Sequence, residues 1–168
     1  MPLPTPAFWV ANAVPLPVIQ AAANRAFATV LGHHPGLLER MGPHANQTFA
    51  FVPIDLPWVF LITPSTRQLT VVRHTARVLA NATISAPIVL LLALLEGKAD
   101  GDAAFFARGI EIAGDMEAIL AVRNALDDAA IDLPRELASG EGPLRRHLES
   151  RLARLRAMLL ASEGVRWN

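Results

Sequence analysis

The sequence contains no cysteine and no tyrosine. The first absence excludes disulfides, thiolate nucleophiles and cysteine-ligated zinc or iron–sulfur centres, and is compatible with a reducing compartment. The second removes phenolic acids and phenolate ligands. Charge is also scarce: 18% of the 168 residues are charged, against a typical share of about 25%. The 15 basic and 15 acidic residues balance, so there is no global basic field for a polyanion, and no nucleic-acid partner is expected. Glycine-rich phosphate loops are missing as well. Gly97-Lys98-Ala99-Asp100-Gly101-Asp102 matches neither a P-loop nor a dinucleotide fingerprint, lacks the ligand pattern of a calcium loop, and reads as a turn.

Long apolar runs are absent. The longest, Ala86 to Leu95, is half of the roughly 20 residues that a spanning helix needs. The first 31 residues carry Arg25 as their only charge, but Pro2, Pro4, Pro6, Pro15 and Pro17 interrupt them and no basic residue precedes the stretch. A membrane span and a secretory signal are therefore not expected, whereas peripheral contact with a bilayer stays open. The expected location is the cytoplasm, with the inner membrane as a peripheral surface.

What the chain does have is apolar residues, 52% of the total. That share excludes disorder over most of the length, and it fills a core with apolar side chains left over. Ten of the 13 prolines lie within the first 64 residues, and residues 1–17 read as a Pro-punctuated arm. Pro17 suits the first turn of a helix to about Leu31, closed by Gly32, and a second short helix is expected over Pro35–Met41. The period then shortens to two. Thr48–Val52, Pro57–Thr63, Gln68–Arg73 and Val78–Ile84 read as four strands, with a turn at Pro64–Arg67. Connections this short predict an antiparallel meander. Ser85 is placed to cap a Leu-rich helix with Pro87 in its first turn, and Gly97 to close it. Asp100 or Asp102 would cap a short helix carrying Phe105 and Phe106. Gly109–Ala113 gives a fifth strand, and Asp115 caps a helix to about Asp128 whose Ile119, Val122 and Leu126 recur at helical spacing. Residues 18–133 are thus expected to form one domain. After it, residues 134–168 carry a basic amphipathic helix from Pro143 to about Leu160, with Leu144, Leu148, Leu152, Leu155 and Leu159 along one stripe. Arg145, Arg146, Arg151, Arg154 and Arg156 fill much of the rest. Those arginines either contact an anionic membrane or a partner, or stand in water while the leucines pack on the domain.

Catalytic patterns are sparse. His33-His34 cannot share a helix face, and neither a His-Glu-x-x-His motif nor another metal-ligand spacing occurs. Asp127-Asp128 with Asp132 sits near a helix end and reads as a solvated terminus paired to arginines. A small enzyme would have to use His74 or that Asp pair as a base. The apolar positions are more ambiguous. Phe49 and Phe51 share one strand face, as do Trp58, Phe60 and Ile62 on the next; Leu91, Leu92 and Leu95 lie on the Leu-rich helix, and Phe105 and Phe106 follow it. They are either core or the lining of an apolar tunnel beneath a helix-covered sheet, which would take a lipid or isoprenoid by burial.

Phe105-Phe106-Ala107-Arg108-Gly109-Ile110-Glu111-Ile112-Ala113-Gly114-Asp115, preceded by the Leu-rich helix and Gly97, resembles the sterol carrier protein type 2 domain, in which such a strand leads into the last helix of the fold. Ile54-Asp55-Leu56-Pro57-Trp58-Val59-Phe60 and Ala121-Val122-Arg123-Asn124-Ala125-Leu126-Asp127-Asp128 narrow the likeness to proteobacterial ubiquinone-biosynthesis accessory factors of the UbiT kind. It spans about Ala21 to Leu133. The resemblance implies an α+β fold: a five-stranded, mainly antiparallel sheet covered by helices and enclosing an apolar tunnel. It implies a non-catalytic carrier without a cofactor, binding lipid or a prenyl-quinone precursor and serving iron–sulfur hydroxylase proteins of the UbiU and UbiV kind. The lining is then expected to include Ile110, Ile112, Ile119 and Val122 besides the aromatic and leucine positions above. The turn at Pro64–Arg67 departs from the family, which commonly has a glycine-containing hairpin there.

Overall fold

The computed structural model describes residues 14–96, 109–132 and 136. Helix α1 spans Leu16–His33 with Pro17 in its first turn, where the missing N–H costs nothing. It runs through Gly32 instead of stopping there, because Gly32 is not left-handed and so offers no glycine cap; the chain leaves the helix at His34. A single turn, α2 (Leu37–Arg40), follows. It begins two residues later than the sequence predicts, with Gly36 at its N-cap, and Gly42, at φ 52°, turns the chain into a 3-10 turn over Gly42–Asn46.

Five strands form one sheet: β1 (Phe49–Pro53), β2 (Trp58–Thr63), β3 (Gln68–Arg73), β4 (Ala82–Ala86) and β5 (Glu111–Gly114). Their order is β3-β2-β1-β4-β5. β1 pairs with β2, β2 with β3, and β4 with β5 antiparallel, while β1 and β4 run parallel, Phe49 beside Ala82 and Pro53 beside Ala86. The sheet is mainly antiparallel, but the four-strand meander is corrected: β4 does not join β3. Its alternate residues Ala82, Ile84 and Ala86 are all buried, which demands a central position, whereas β3 buries only Val71 and suits an edge. The chain between Arg73 and Ala82 therefore crosses to the far side of β1 and returns to its start. Nine residue steps reach about 30 Å when extended, enough for that path without a helix. This explains why β4 begins at Ala82 and not at Val78, and why Leu79 on the crossing is 93% exposed.

The open side of β3 is occupied by a side chain. Gln20 of α1 donates from Nε2 to the Leu69 carbonyl at 2.8 Å and accepts from the Val71 N–H at 2.7 Å, so one amide takes the place of a neighbouring strand. At the turn between β2 and β3, a 3-10 turn over Pro64–Thr66 hands over to Arg67 at φ 52°, the position where glycine is usual.

Helix α3 (Ile88–Leu95) follows β4 at once. Ser85 does not cap it, since Ser85 belongs to β4. The Ile88 N–H instead donates to Asp55 Oδ1 at 3.0 Å, from the hairpin between β1 and β2. Helix α4 (Met116–Ala129) is capped as expected: Asp115 Oδ1 accepts from the N–H groups of Glu117 at 3.0 Å and Ala118 at 3.1 Å. α4 packs on α2, α3 and β4. One sheet face and these helices close a core in which Phe49, Ile84, Leu94, Ile119 and Ile131 are almost wholly buried. Among the described residues, no helix is long and apolar enough to cross a membrane.

Candidate apolar ligand site

Strand period divides the sheet into two faces. Register places Phe49 against Ile62 and Phe51 against Phe60, Phe51 against Ile84, and Ile84 against Ile112, so these residues share the helix-covered face. Its burial is uneven. On the central strands, Phe49, Phe51 and Ile84 are buried in a cluster with Leu91 and Leu94 of α3 and with Ile119 and Val122 of α4. On the flanks, Phe60 and Ile62 of β2 and Ile110 and Ile112 at β5 pack against that cluster but remain half-buried. Leu95 of α3 does the same, as do Phe27 of α1, Leu38 of α2 and Leu90 of α3, which sequence reasoning did not select. The signal for Phe27 was present, since it precedes the buried pair Val30 and Leu31 at helical spacing.

The residues expected to line a site are therefore brought together, but in two environments: a closed centre and a half-open margin. Two others stand apart. Leu92 is 40% exposed, on the side of α3 away from Leu91 and Leu94. Trp58 is only 7% exposed yet is not part of the central cluster. Its indole Nε1 is buried without a hydrogen-bond partner, an arrangement that costs about 1–3 kcal/mol. Phe105, Phe106 and the arginines 145, 146, 151, 154 and 156 lie outside the described residues.

Two polar networks brace opposite ends of the face. At one end, Asp55 fastens the β1–β2 hairpin to the start of α3, and Ile54 N–H donates to the Ala86 carbonyl. At the other, Asp115 also accepts from Gln47 Nε2 at 2.9 Å, while its own N–H donates to the Asn81 carbonyl. Asn81 in turn accepts from the Thr48 N–H through Oδ1. Gly114, at φ 91°, lies so close that a Cβ would stand 2.1 Å from the Asn81 oxygen, so glycine is required there. The Gln47 hydrogen bond, followed by that from the Ala118 N–H, holds the Asp115 carboxyl below the usual carboxylate range.

The titratable residues singled out in the sequence are engaged elsewhere than with one another. Asp127 meets Arg123 and Asp128 meets Arg40, each at 3.6 Å; His74 is exposed, its N–H donating to the Pro57 carbonyl. His34 Nε2 lies 2.6 Å from Glu136 Oε1, a contact spanning 102 positions that no local pattern discloses. It ties the chain beyond α4 to the end of α1. Among the described residues, no three His, Asp or Glu side chains converge as a metal site would require.

Comparison with one solved structure supports the same architecture. The protein titled "UbiJ-SCP2 Ubiquinone synthesis protein" superposes with a TM-score of 0.55 at 20% identity, over 71% of this chain and 98% of the other. The sterol carrier protein domain 2 of Helicoverpa armigera aligns over 61% of this chain and 81% of its own, with a TM-score of 0.43 at 18% identity. No curated protein matches the chain. Residues 27–127, most of the segment from α1 to α4, match the model of the SCP-2 sterol transfer family, and the chain belongs to that family.

Proposed function

We propose that the protein is a non-catalytic lipid- or isoprenoid-binding accessory factor that presents hydrophobic ubiquinone intermediates for oxygen-independent hydroxylation. The observation that carries this reading is the half-open apolar margin along β2, β5 and α3, lying in a family whose members transfer sterols. The pathway is carried by the fold likeness to a ubiquinone-synthesis protein. Residues 18–133 are the carrier unit in this reading, and the guest lies between sheet and helices against Phe60, Ile62, Leu95, Ile110 and Ile112. Partners would be hydroxylase proteins of the UbiU and UbiV kind.

Energetics constrain how such a carrier works. Removing a methylene from water gains about 0.8 kcal/mol, but a prenyl tail leaving a bilayer is already in hydrocarbon and gains almost nothing. Selection must rest on shape and on polar contacts to the head group. Docking at the membrane would keep the tail out of water, and the arginines of residues 134–168 supply the charge for it, at about 1 kcal/mol each near anionic lipid.

Native mass spectrometry of the purified protein, followed by extraction and lipid analysis, tests the reading. A stoichiometric prenyl-quinone precursor is expected. A phospholipid or fatty acid in its place would keep the carrier and remove the quinone assignment, and a protein that stays empty when offered these lipids would overturn both.

A further inference from the structure

The indole Nε1 of Trp58 is buried without a hydrogen-bond partner, and its cross-strand neighbours offer none. Trp58 opens β2 and stands on the same face as Phe60 and Ile62. Its register partner on β3 is Arg73, a donor like itself. Val71, the next β3 residue on that face, is buried and apolar, and Pro53 at the end of β1 is fully buried. None of these side chains accepts a hydrogen bond. The N–H of an indole donates and cannot accept, so its missing partner must be an acceptor from outside this set. Buried donors in native proteins are nearly always satisfied, and a phenylalanine would have filled the position without the cost.

We infer that Trp58 is the polar recognition point of the apolar site, its Nε1–H donating to a carbonyl oxygen on the head of the bound lipid. This deepens the carrier reading and rests on it. A donor-only group discriminates by chemistry: it rewards a quinone or carbonyl head and gives nothing to a hydrocarbon of the same length. The location is consistent with that role. β2 is the strand whose helix-facing residues pass from the buried Trp58 to the half-buried Phe60 and Ile62, so a head group at Trp58 would have its tail running along the apolar margin.

The test uses the full-length protein and two probes that differ only in the head, 2-decyl-1,4-benzoquinone and decylbenzene. Removing one net hydrogen bond corresponds to roughly three- to tenfold in affinity. Trp58→Phe should weaken the quinone by that factor and leave decylbenzene unchanged, a difference of differences that cancels general loss of packing. Should Trp58→Phe fail to fold, the same question is answered in W9F/W167F, where Trp58 is the one remaining tryptophan. Its indole proton resonance should move downfield when the quinone is added and stay in place with decylbenzene. Equal loss of both probes on Trp58→Phe, or an indole resonance that ignores the quinone while it binds, overturns the recognition role and leaves the carrier intact. Failure of the unaltered protein to bind either probe overturns both.

Discussion

The centre and the flanks of one sheet face are built from the same kinds of residue and are buried to different extents. β1 and β4 carry Phe49, Phe51 and Ile84 into a sealed cluster, Phe49 being 1% exposed. β2 and β5 carry Phe60, Ile62 and Ile112 to half-burial beside it. Side-chain chemistry does not set the two apart; position does. β2 is paired on both sides just as β1 is, so pairing does not separate them; α3 contacts β1 and α4 contacts β4, so the apolar residues of those two strands are sealed beneath helices. Phe60, Ile62 and Ile112 on β2 and β5 are only partly covered, and leave apolar surface that a guest could cover. In the carrier reading proposed above, stability and binding are therefore separable by substitution.

Substitutions should separate them in order of size. Phe49→Ala opens a cavity in the sealed cluster and should cost about 3–5 kcal/mol, read by denaturant unfolding; a cost below about 1 kcal/mol would mean that the centre is not closed. Asp55→Ala removes the acceptor that holds the start of α3 to the hairpin, with an expected loss of about 1–2 kcal/mol and a lowered Tm. Ile62→Ala should cost only about 1 kcal/mol, since a half-buried side chain forfeits part of its transfer energy, yet it should weaken decylbenzene binding measurably. Stability loss equal to that of Phe49→Ala would erase the distinction between centre and flank. The smallest effect concerns pH. The Asp115 carboxyl is held below its ordinary value of 3.8, so its stabilising contribution is complete above that value and is lost as pH falls through the lower folded value. Gln47→Leu removes the leading cause. The Asp115 titration, followed by carboxyl NMR, should move up toward 3.8, and acid unfolding should lose part of its steepness.

Legibility followed distance along the chain. Asp115 was readable as a cap because its acceptor and the N–H groups it serves lie within three residues. Asp55 does the same work for α3 from 33 residues away, and Ser85, the local candidate, was a strand residue. The strands over Phe49–Arg73 showed their period directly, and β3 appears over the residues expected. The crossing of β4 did not, because connection length says how far a chain can reach and not which edge is free; only the burial of β4 and the occupation of β3's edge decide that. For the site, period placed Phe49 with Phe51 and Phe60 with Ile62 on their own strands, but which strand faces coincide depends on register, and the split between sealed and half-open on which helix lies over each strand. Trp58 was named for its bulk, while the unmet need of its N–H appears only once its neighbours are known.

The glutamine that fills the edge of β3 bears on assembly. A sheet with two bare edges can add copies without end, the geometry of a fibril. Here Gln20 already engages the Leu69 carbonyl and the Val71 N–H on the outer edge of β3, so a strand added at that edge would first have to displace a side chain held by two hydrogen bonds.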